Sequence, residues 1–380
     1  MGMSLLEQMT QLARQARMAS RALGQLTTAQ KNACLLKMAA ALESPAALMA
    51  IQSANELDMA AGAKSGLSSA MLDRLKLDPK RITAMAKGLR EVAALPDPVG
   101  RILDERVRPN GLKLQKISTP IGVVVIIYES RPNVTADAAS LCFKSGNATI
   151  LRGGKEALHS NGLIGDLLVQ VIEKESGVPN AIQVVPTTDR EAIPALLSLT
   201  QYVDLCMPRG GESLIRAVAE CSKVPVIKHY KGVCHVYVDA EADLSMAESI
   251  ALNAKIQRPG VCNAMETLLV HQPVAKTFLP QLAAGLTAKQ VELRCDPASL
   301  AILTAGLVPG TLPLKAATDQ DYFTEYNDYI LNVRVVDGVK AAIDHINHYG
   351  SAHSDSIVTK NETLAQQFHA APGCHGVVRR

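Results

Sequence analysis

Ile121-Gly122-Val123-Val124-Val125-Ile126-Ile127-Tyr128 is an unbroken apolar run rich in β-branched residues. A strand with one wet face alternates polar and apolar residues. A run with no polar position needs cover on both faces, as in the middle of a parallel sheet. The residues that follow fit that setting. A helix is predicted from Val134 to Lys144, a strand over Ala148 to Leu151 and a helix from Glu156 to Lys174. Ile182 to Val185 and Val203 to Cys206 read as further strands, with a helix near Arg190 to Leu199 between them. Strands alternating with helices over short connections give an α/β fold with a doubly wound sheet. The pattern restarts near Val233, with strand Cys234 to Val238, helix Ala242 to Ile256 and strand Thr267 to His271. No internal repeat or low-complexity linker separates the two units.

Before the run, Leu5, Met9, Leu12, Ala16 and Ala19 recur at helical spacing. Thr27 with Gln30 is a capping-box start, and Ser44-Pro45 and Asp78-Pro79 each read as an N-cap followed by proline at the first helical position. Val107 to Ser118 reads as two short strands around Pro109-Asn110-Gly111, a hairpin signal with polar and basic flanks unsuited to a core. An arm that pairs with another subunit explains it, and so does a plain surface hairpin.

The chain has 380 residues, too many for one ordinary core, and is 48% hydrophobic and 20% charged, an ordinary globular composition. Its formal charge of +3 is spread without a basic block, which argues against nucleic acid or an anionic membrane as partner. No apolar run approaches the roughly 18 residues that span a bilayer. Met1 to Leu23 reads as an amphipathic helix without the n-region or cleavage pattern of a signal peptide, so a cytoplasmic location is expected. The eight cysteines, at positions 34, 142, 206, 221, 234, 262, 295 and 374, form no Cys-x-x-Cys pair, which suggests neither zinc nor a thioredoxin motif. In a reducing compartment most serve as small buried hydrophobes, and spacing does not show which one is a nucleophile.

A nucleotide site is suggested, though Gly-x-Gly-x-x-Gly does not follow the first strand. Gly210-Gly211 instead follows the strand Val203 to Cys206 and opens a helix, Glu212 to Ala219, whose N–H groups can hold a pyrophosphate. The commoner use of such a pair is simply to make the turn. After the second strand comes Leu151-Arg152-Gly153-Gly154-Lys155. Arg152 and Lys155 suit the 2′-phosphate of NADP, and they read equally well as solvated surface charges.

Four stretches carry a specific resemblance. Asn253 to Glu266 (Asn-Ala-Lys-Ile-Gln-Arg-Pro-Gly-Val-Cys-Asn-Ala-Met-Glu) resembles the cysteine loop of the gamma-glutamyl phosphate reductases, a branch of the aldehyde dehydrogenase superfamily. Val336 to Ile357, with His345-Ile346-Asn347-His348-Tyr349-Gly350-Ser351-Ala352-His353-Ser354-Asp355, is similar to that family's signature. Tyr128-Glu129-Ser130-Arg131-Pro132-Asn133 and Ile227-Lys228-His229-Tyr230-Lys231-Gly232 match its pattern, and the likeness runs to about Phe368.

The resemblance implies two Rossmann-like doubly wound α/β domains and a small oligomerisation hairpin. It divides the chain into an NADPH-binding domain at 1–102 and 120–232, a hairpin at 103–119 and a catalytic cysteine domain at 233–357, with 358–380 returning to the first domain. It implies that NADPH reduces γ-glutamyl phosphate to glutamate 5-semialdehyde, releasing NADP and phosphate, the second step of proline synthesis. A homo-oligomer follows from it, and glutamate 5-kinase as a candidate partner. Cys262, after Pro259 and Gly260, becomes the nucleophile that forms a thioester, with the Asn133 amide and the Cys262 N–H stabilising the oxyanion. Read from the residues alone, Cys262 is a buried core thiol and Asn133 a helix cap.

The resemblance also implies cofactor contacts at Ser130, Arg131, Arg152, Gly153, Lys155, Pro208, Arg209 and Gly210. Arg258, His345 and His353 become candidates for the substrate's phosphate or α-carboxylate. Aldehyde-oxidising relatives carry a glutamate that activates water, whereas Ile227 to Gly232 holds no carboxylate, which favours reduction of the thioester. Lys228 and His229 either favour an anionic substrate or form a surface pair. His345, His348 and His353 raise the question of a metal, but no carboxylate or thiolate at ligand spacing completes a site. Core or capping histidines are the plain alternative. Beyond Phe368 similar enzymes continue with an Asn-Ala-Ser-Thr-Arg-Phe segment, a glycine-rich stretch and a subunit-pairing strand. His369 to Arg380 fits none of these, so a truncated or frameshifted end is expected.

Overall fold

The computed structural model describes residues 3–67, 69–129, 131–228, 230–306 and 313–371. The chain divides into two compact units, Met1–Lys228 and His229–Arg380.

In the first unit the apolar run becomes strand β3, after an antiparallel hairpin of β1 (Ile102–Val107) and β2 (Lys113–Ile117). β3 (Val123–Tyr128), β4 (Ala148–Arg152), β5 (Ile182–Val184) and β6 (Leu205–Arg209) form a parallel sheet in the order β5-β4-β3-β6. All six residues of β3 are buried, and each Val or Ile contributes roughly 1.5–3 kcal/mol by leaving water. Ile121, half exposed, stays outside. Gly122 turns the chain into the strand at φ +125, where an added Cβ would lie 2.2 Å from Asp204 Oδ2. That carboxylate accepts the Val123 N–H at 2.7 Å and, on its other oxygen, Arg17 Nη2 at 2.8 Å, 187 residues away in sequence.

The helix Leu5–Leu23 therefore packs on β3, β4 and β5, and buries Met9, Leu12, Ala16 and Ala19 as its spacing predicts. Thr27–Gln30 closes the expected capping box, and Ser44 and Asp78 cap helices whose first residue is proline. The hairpin is displaced toward the N-terminus: its first strand is Ile102–Val107 and not a segment beginning at Val107. Both hairpin strands are exposed along their whole length. Likewise β6 runs from Leu205 to Arg209, later than Val203 to Cys206, because the ladder with β3 starts at Val124↔Leu205.

The second unit holds β7 (Cys234–Val238), β8 (Met265–His271), β9 (Glu292–Cys295), β10 (Leu314–Ala316), β11 (Ile330–Val336) and β12 (Asp355–Val358). They form a parallel sheet in the order β10-β9-β11-β8-β7-β12. Alternate residues feed two cores, as a strand covered on both faces requires. Val236, Val238, Leu268 and Val270 join one; Tyr237, Leu269 and Ile357 join the other.

Residues 358–371 correct an expectation. They belong to this second unit and do not return to the first. Val358 completes β12, and the helix Glu362–Ala370 buries Phe368, which stacks on Tyr237 at 6.5 Å. Among the described residues no single helix is long and apolar enough to cross a membrane, and Thr28–Leu42 with Pro45–Lys64 reaches that length only as a pair bent by 67°. Residues 372–380, with Cys374, lie outside the described residues.

Candidate active site

The helix Leu244–Ile256 starts at Asp243, whose carboxylate accepts the Met246 N–H at 3.2 Å, and delivers the chain to the cysteine loop. Two turns shape that loop. The Val261 N–H donates to Arg258 O at 3.3 Å, and the Ala264 N–H donates to Val261 O at 3.0 Å. Cys262 lies within the second of them with its side chain exposed. Among the described cysteines it stands alone in this. Cys34, Cys142, Cys206, Cys234 and Cys295 are buried and Cys221 is half-buried. Burial pushes the thiols of Cys206, Cys234 and Cys295 up to about 12, which keeps them protonated and unreactive. Exposure therefore selects Cys262, where spacing does not.

Both stems of the loop are tied by a buried ion pair that sequence spacing does not announce. Lys255 Nζ, in the last turn of the helix, lies 2.8 Å from Glu266 Oε2 near the start of β8, with side-chain exposures of 0% and 1%. The second Glu266 oxygen accepts the Asn327 N–H at 3.1 Å. Desolvation dominates both groups: it raises the Glu266 carboxyl to about 7 and lowers the Lys255 ammonium.

Beneath the loop runs the entry to β7. A Cβ on Gly232 would lie 2.0 Å from Cys262 O and 3.0 Å from its Cα, so only glycine admits this approach. The Val233 N–H donates to Ser351 Oγ at 2.9 Å. Cys234 Sγ lies 3.3 Å from Cys262 O and 3.8 Å from His353 Nδ1. The segment holding His353 carries Ala352 at φ +55, a left-handed conformation unusual for alanine. His353, half-buried, thus belongs to the surroundings of the cysteine loop, and Arg258 is exposed on the loop itself.

His345 is turned inward and away from solvent. It is 5% exposed, its Nδ1 lies 3.0 Å from Arg334 Nη1, and its ring packs against Tyr322 and Tyr349. Burial first, then the neighbouring His235, Arg334 and His348, lowers its pKa to about 2, so it is neutral. Next to it His235 Nδ1 pairs with Asp355 Oδ1 at 2.8 Å, wholly buried. No group of three or more metal-ligating side chains is assembled among the described residues.

The first unit has a topological switch point. Sequence order runs outward from β3 to β4 and β5, then jumps to β6 on the other side, so the strand order reverses between β3 and β6. Ligands of open α/β sheets bind at such a reversal, beyond the strands' C-terminal ends. Glu129 and Gly210-Gly211 lie there. The Gly211 N–H, at the start of the helix Glu212–Cys221, donates to Glu129 Oε2 at 2.9 Å, which shows that this helix start accepts an anionic oxygen. A Cβ on Gly210 would lie 2.6 Å from the same oxygen, and one on Gly153 2.0 Å from Asn161 Nδ2.

The charged candidates separate by environment. Lys155, Arg131 and Arg209 are exposed, and Pro208 is buried in β6. Arg152 is 9% exposed and donates to the carbonyls of Gly153, Thr188 and Asp189 at 2.8, 3.0 and 3.4 Å. Its guanidinium holds the loop after β4 and is not turned to solvent for a phosphate. Asn133 opens the helix Asn133–Lys144 but does not cap it; its Nδ2 donates to Asp137 Oδ2 at 3.0 Å. Ser130 and His229 lie outside the described residues, and Lys228 is exposed.

A model of the aldehyde dehydrogenase family matches residues 4–300. The gamma-glutamyl phosphate reductase of Geobacter metallireducens is 53% identical over 367 residues, which cover 96% of this chain and 85% of that protein. The crystal structure of the gamma-glutamyl phosphate reductase of Thermotoga maritima matches with a TM-score of 0.90 at 37% identity, covering 98% of this chain and 87% of that one. An engineered glycolyl-CoA reductase solved with bound NADP+ shares the fold at a TM-score of 0.66 and 15% identity, over 98% of this chain and 87% of that one. This chain belongs to the aldehyde dehydrogenase family, in its gamma-glutamyl phosphate reductase branch.

Proposed function

We propose that Cys262 is the nucleophile with which this chain reduces γ-glutamyl phosphate to glutamate 5-semialdehyde. The observation that carries the assignment is that Cys262 is the exposed thiol among the described cysteines, held at a turn over Gly232. The thiolate attacks the acyl carbon, the carbon–oxygen bond to phosphate breaks, and a thioester forms. The thioester carbon then accepts a hydride, the carbon–sulfur bond breaks, and aldehyde and thiolate separate. Both steps build charge on the carbonyl oxygen, and we assign the Cys262 N–H as a donor that stabilises it. Arg258 and His353 hold the anionic ends of the substrate. No carboxylate in Ile227 to Gly232 activates water against the thioester.

We assign a dinucleotide to the switch point between β3 and β6, where the Gly211 N–H meets the anionic oxygen of Glu129 and Gly210 leaves no Cβ in its way. A nicotinamide cofactor bound there supplies the hydride. We take it to be NADPH, with exposed Lys155, and not Arg152, meeting the 2′-phosphate. Lys155→Glu should raise KM for NADPH about tenfold and leave that for NADH nearly unchanged; equal changes for both would remove Lys155 from this role.

Run backward without phosphate, semialdehyde and NADP+ should give a stoichiometric burst of NADPH and a glutamyl adduct on the Cys262 peptide. Added phosphate should then start steady turnover. A burst without that adduct would exclude the thioester. The hairpin's exposed Ile102, Leu103, Val107, Leu112, Leu114 and Ile117 lead us to assign it to self-association. A chain with the hairpin cut back to a turn should sediment as a smaller species, and an unchanged size would refute this. A glutamate 5-kinase would supply the acyl phosphate in the cytoplasm.

A further inference from the structure

We propose that Cys234 is a positioning residue for the nucleophile, its thiol donating to the Cys262 carbonyl and fixing the peptide that carries the reactive side chain. The proposal rests on Cys262 being the nucleophile.

Cys234 opens β7 and is 3% exposed, with Sγ 3.3 Å from Cys262 O, a good length for an S–H···O bond. Two residues earlier, Gly232 packs so closely on the same carbonyl that an added Cβ would lie 2.0 Å from the oxygen and 2.8 Å from the carbon. Residues 232–234 thus form a floor on which the Cys262 backbone rests, and the thiol is the polar group that meets its carbonyl. The floor is itself fixed, since the Val233 N–H donates to Ser351 Oγ at 2.9 Å. Burial raises the Cys234 thiol to about 12, so it stays S–H at neutral pH and acts as a donor. The turn from Val261 to Ala264 contains Cys262, and the Cys234 bond sets the carbonyl inside that turn. A nucleophile displaced by about 1 Å loses on the order of a hundredfold in rate.

A cysteine that merely fills space makes the opposite prediction. Filling would be served about as well by alanine or valine and worst by serine, whose hydroxyl is costly to bury. A donor would be served best by serine. The test measures kcat, KM for the semialdehyde, the rate of Cys262 alkylation by iodoacetamide and the melting temperature for Cys234→Ser, Cys234→Ala and Cys234→Val. We expect Cys234→Ser to keep kcat within about threefold, and Cys234→Ala and Cys234→Val to lose about tenfold or more in kcat with little change in KM. Alkylation of Cys262 should follow the same order, read on whichever variants melt like the wild type. Wild-type kcat in Cys234→Ala, or alanine outranking serine, would overturn the proposal. If Cys262→Ala itself kept its activity, the assignment of the nucleophile would fall instead.

Discussion

A chain carrying Cys262→Ala is expected to fold as the wild type does and to lose turnover by roughly 10⁴ or more. The size follows from chemistry, since no other described cysteine is exposed to take over the acyl group. The intact fold follows from position. The side chain is solvent-facing, and exposed substitutions usually shift stability by no more than about 0.5 kcal/mol. Cys262→Ser should fare little better, because a hydroxyl is far less ionised than a thiol at neutral pH. Cys206→Ala supplies the mirror image: it removes a buried core thiol, so it should lower the melting temperature and leave kcat alone. Residual activity above about one per cent in Cys262→Ala would sink the assignment.

The second large effect is on stability and depends on pH. Lys255→Met leaves Glu266 buried without its partner, which costs about 3–5 kcal/mol where the carboxylate must stay charged. Glu266 can escape that cost by taking up a proton, since burial has already raised it from 4.5 to about 7. The loss in Lys255→Met should therefore be largest near pH 8 and small near pH 5. The double variant Lys255→Met/Glu266→Leu, with no charge left to bury, should recover most of it. In the wild type the sign runs the same way. Between about 4.5 and about 7 the native carboxyl holds more protons than the unfolded one, so stability falls as pH rises through that window, by at most about 3 kcal/mol. Lys255, lowered by burial, acts in the opposite sense at higher pH. Denaturant unfolding of the wild type and Glu266→Gln from pH 5 to 8 reads the difference, and parallel curves would refute it.

Elements whose signals are local were legible in the sequence. Val123 to Tyr128 declares a doubly covered strand because no position in it is polar, and the caps at Thr27, Ser44 and Asp78 need only their own next few residues. Boundaries set by distant pairing were not. β6 is placed by its ladder with β3, so its apolar start at Val203 misleads by two residues. Nothing in Glu362–Ala370 says that Phe368 will stack on Tyr237 and not return to the first unit. At the site, the family signature reaches Cys262 and His353, but His345 turns inward against Tyr322 and Tyr349, which a motif cannot reveal. Lys255 and Glu266 stand 11 residues apart across a loop, and Cys234 and Cys262 stand 28 apart. No helical or strand periodicity links either pair. The signal that remains is a lysine in the last turn of a helix and a glutamate at the second residue of the strand that follows.

The bond from Arg17 to Asp204 also bears on how the chain is made. The helix Leu5–Leu23 is complete early in synthesis, yet its docking partners β3 to β5 and Asp204 come much later. At ribosomal rates of about 5–20 residues per second, a separation of 187 residues corresponds to roughly 10–40 s. The sheet that buries Met9, Leu12 and Ala16 starts to be made only at Val123, the first residue of β3. Docking of this helix thus ties together distant parts of the first unit, and it is complete only once Asp204 has been made.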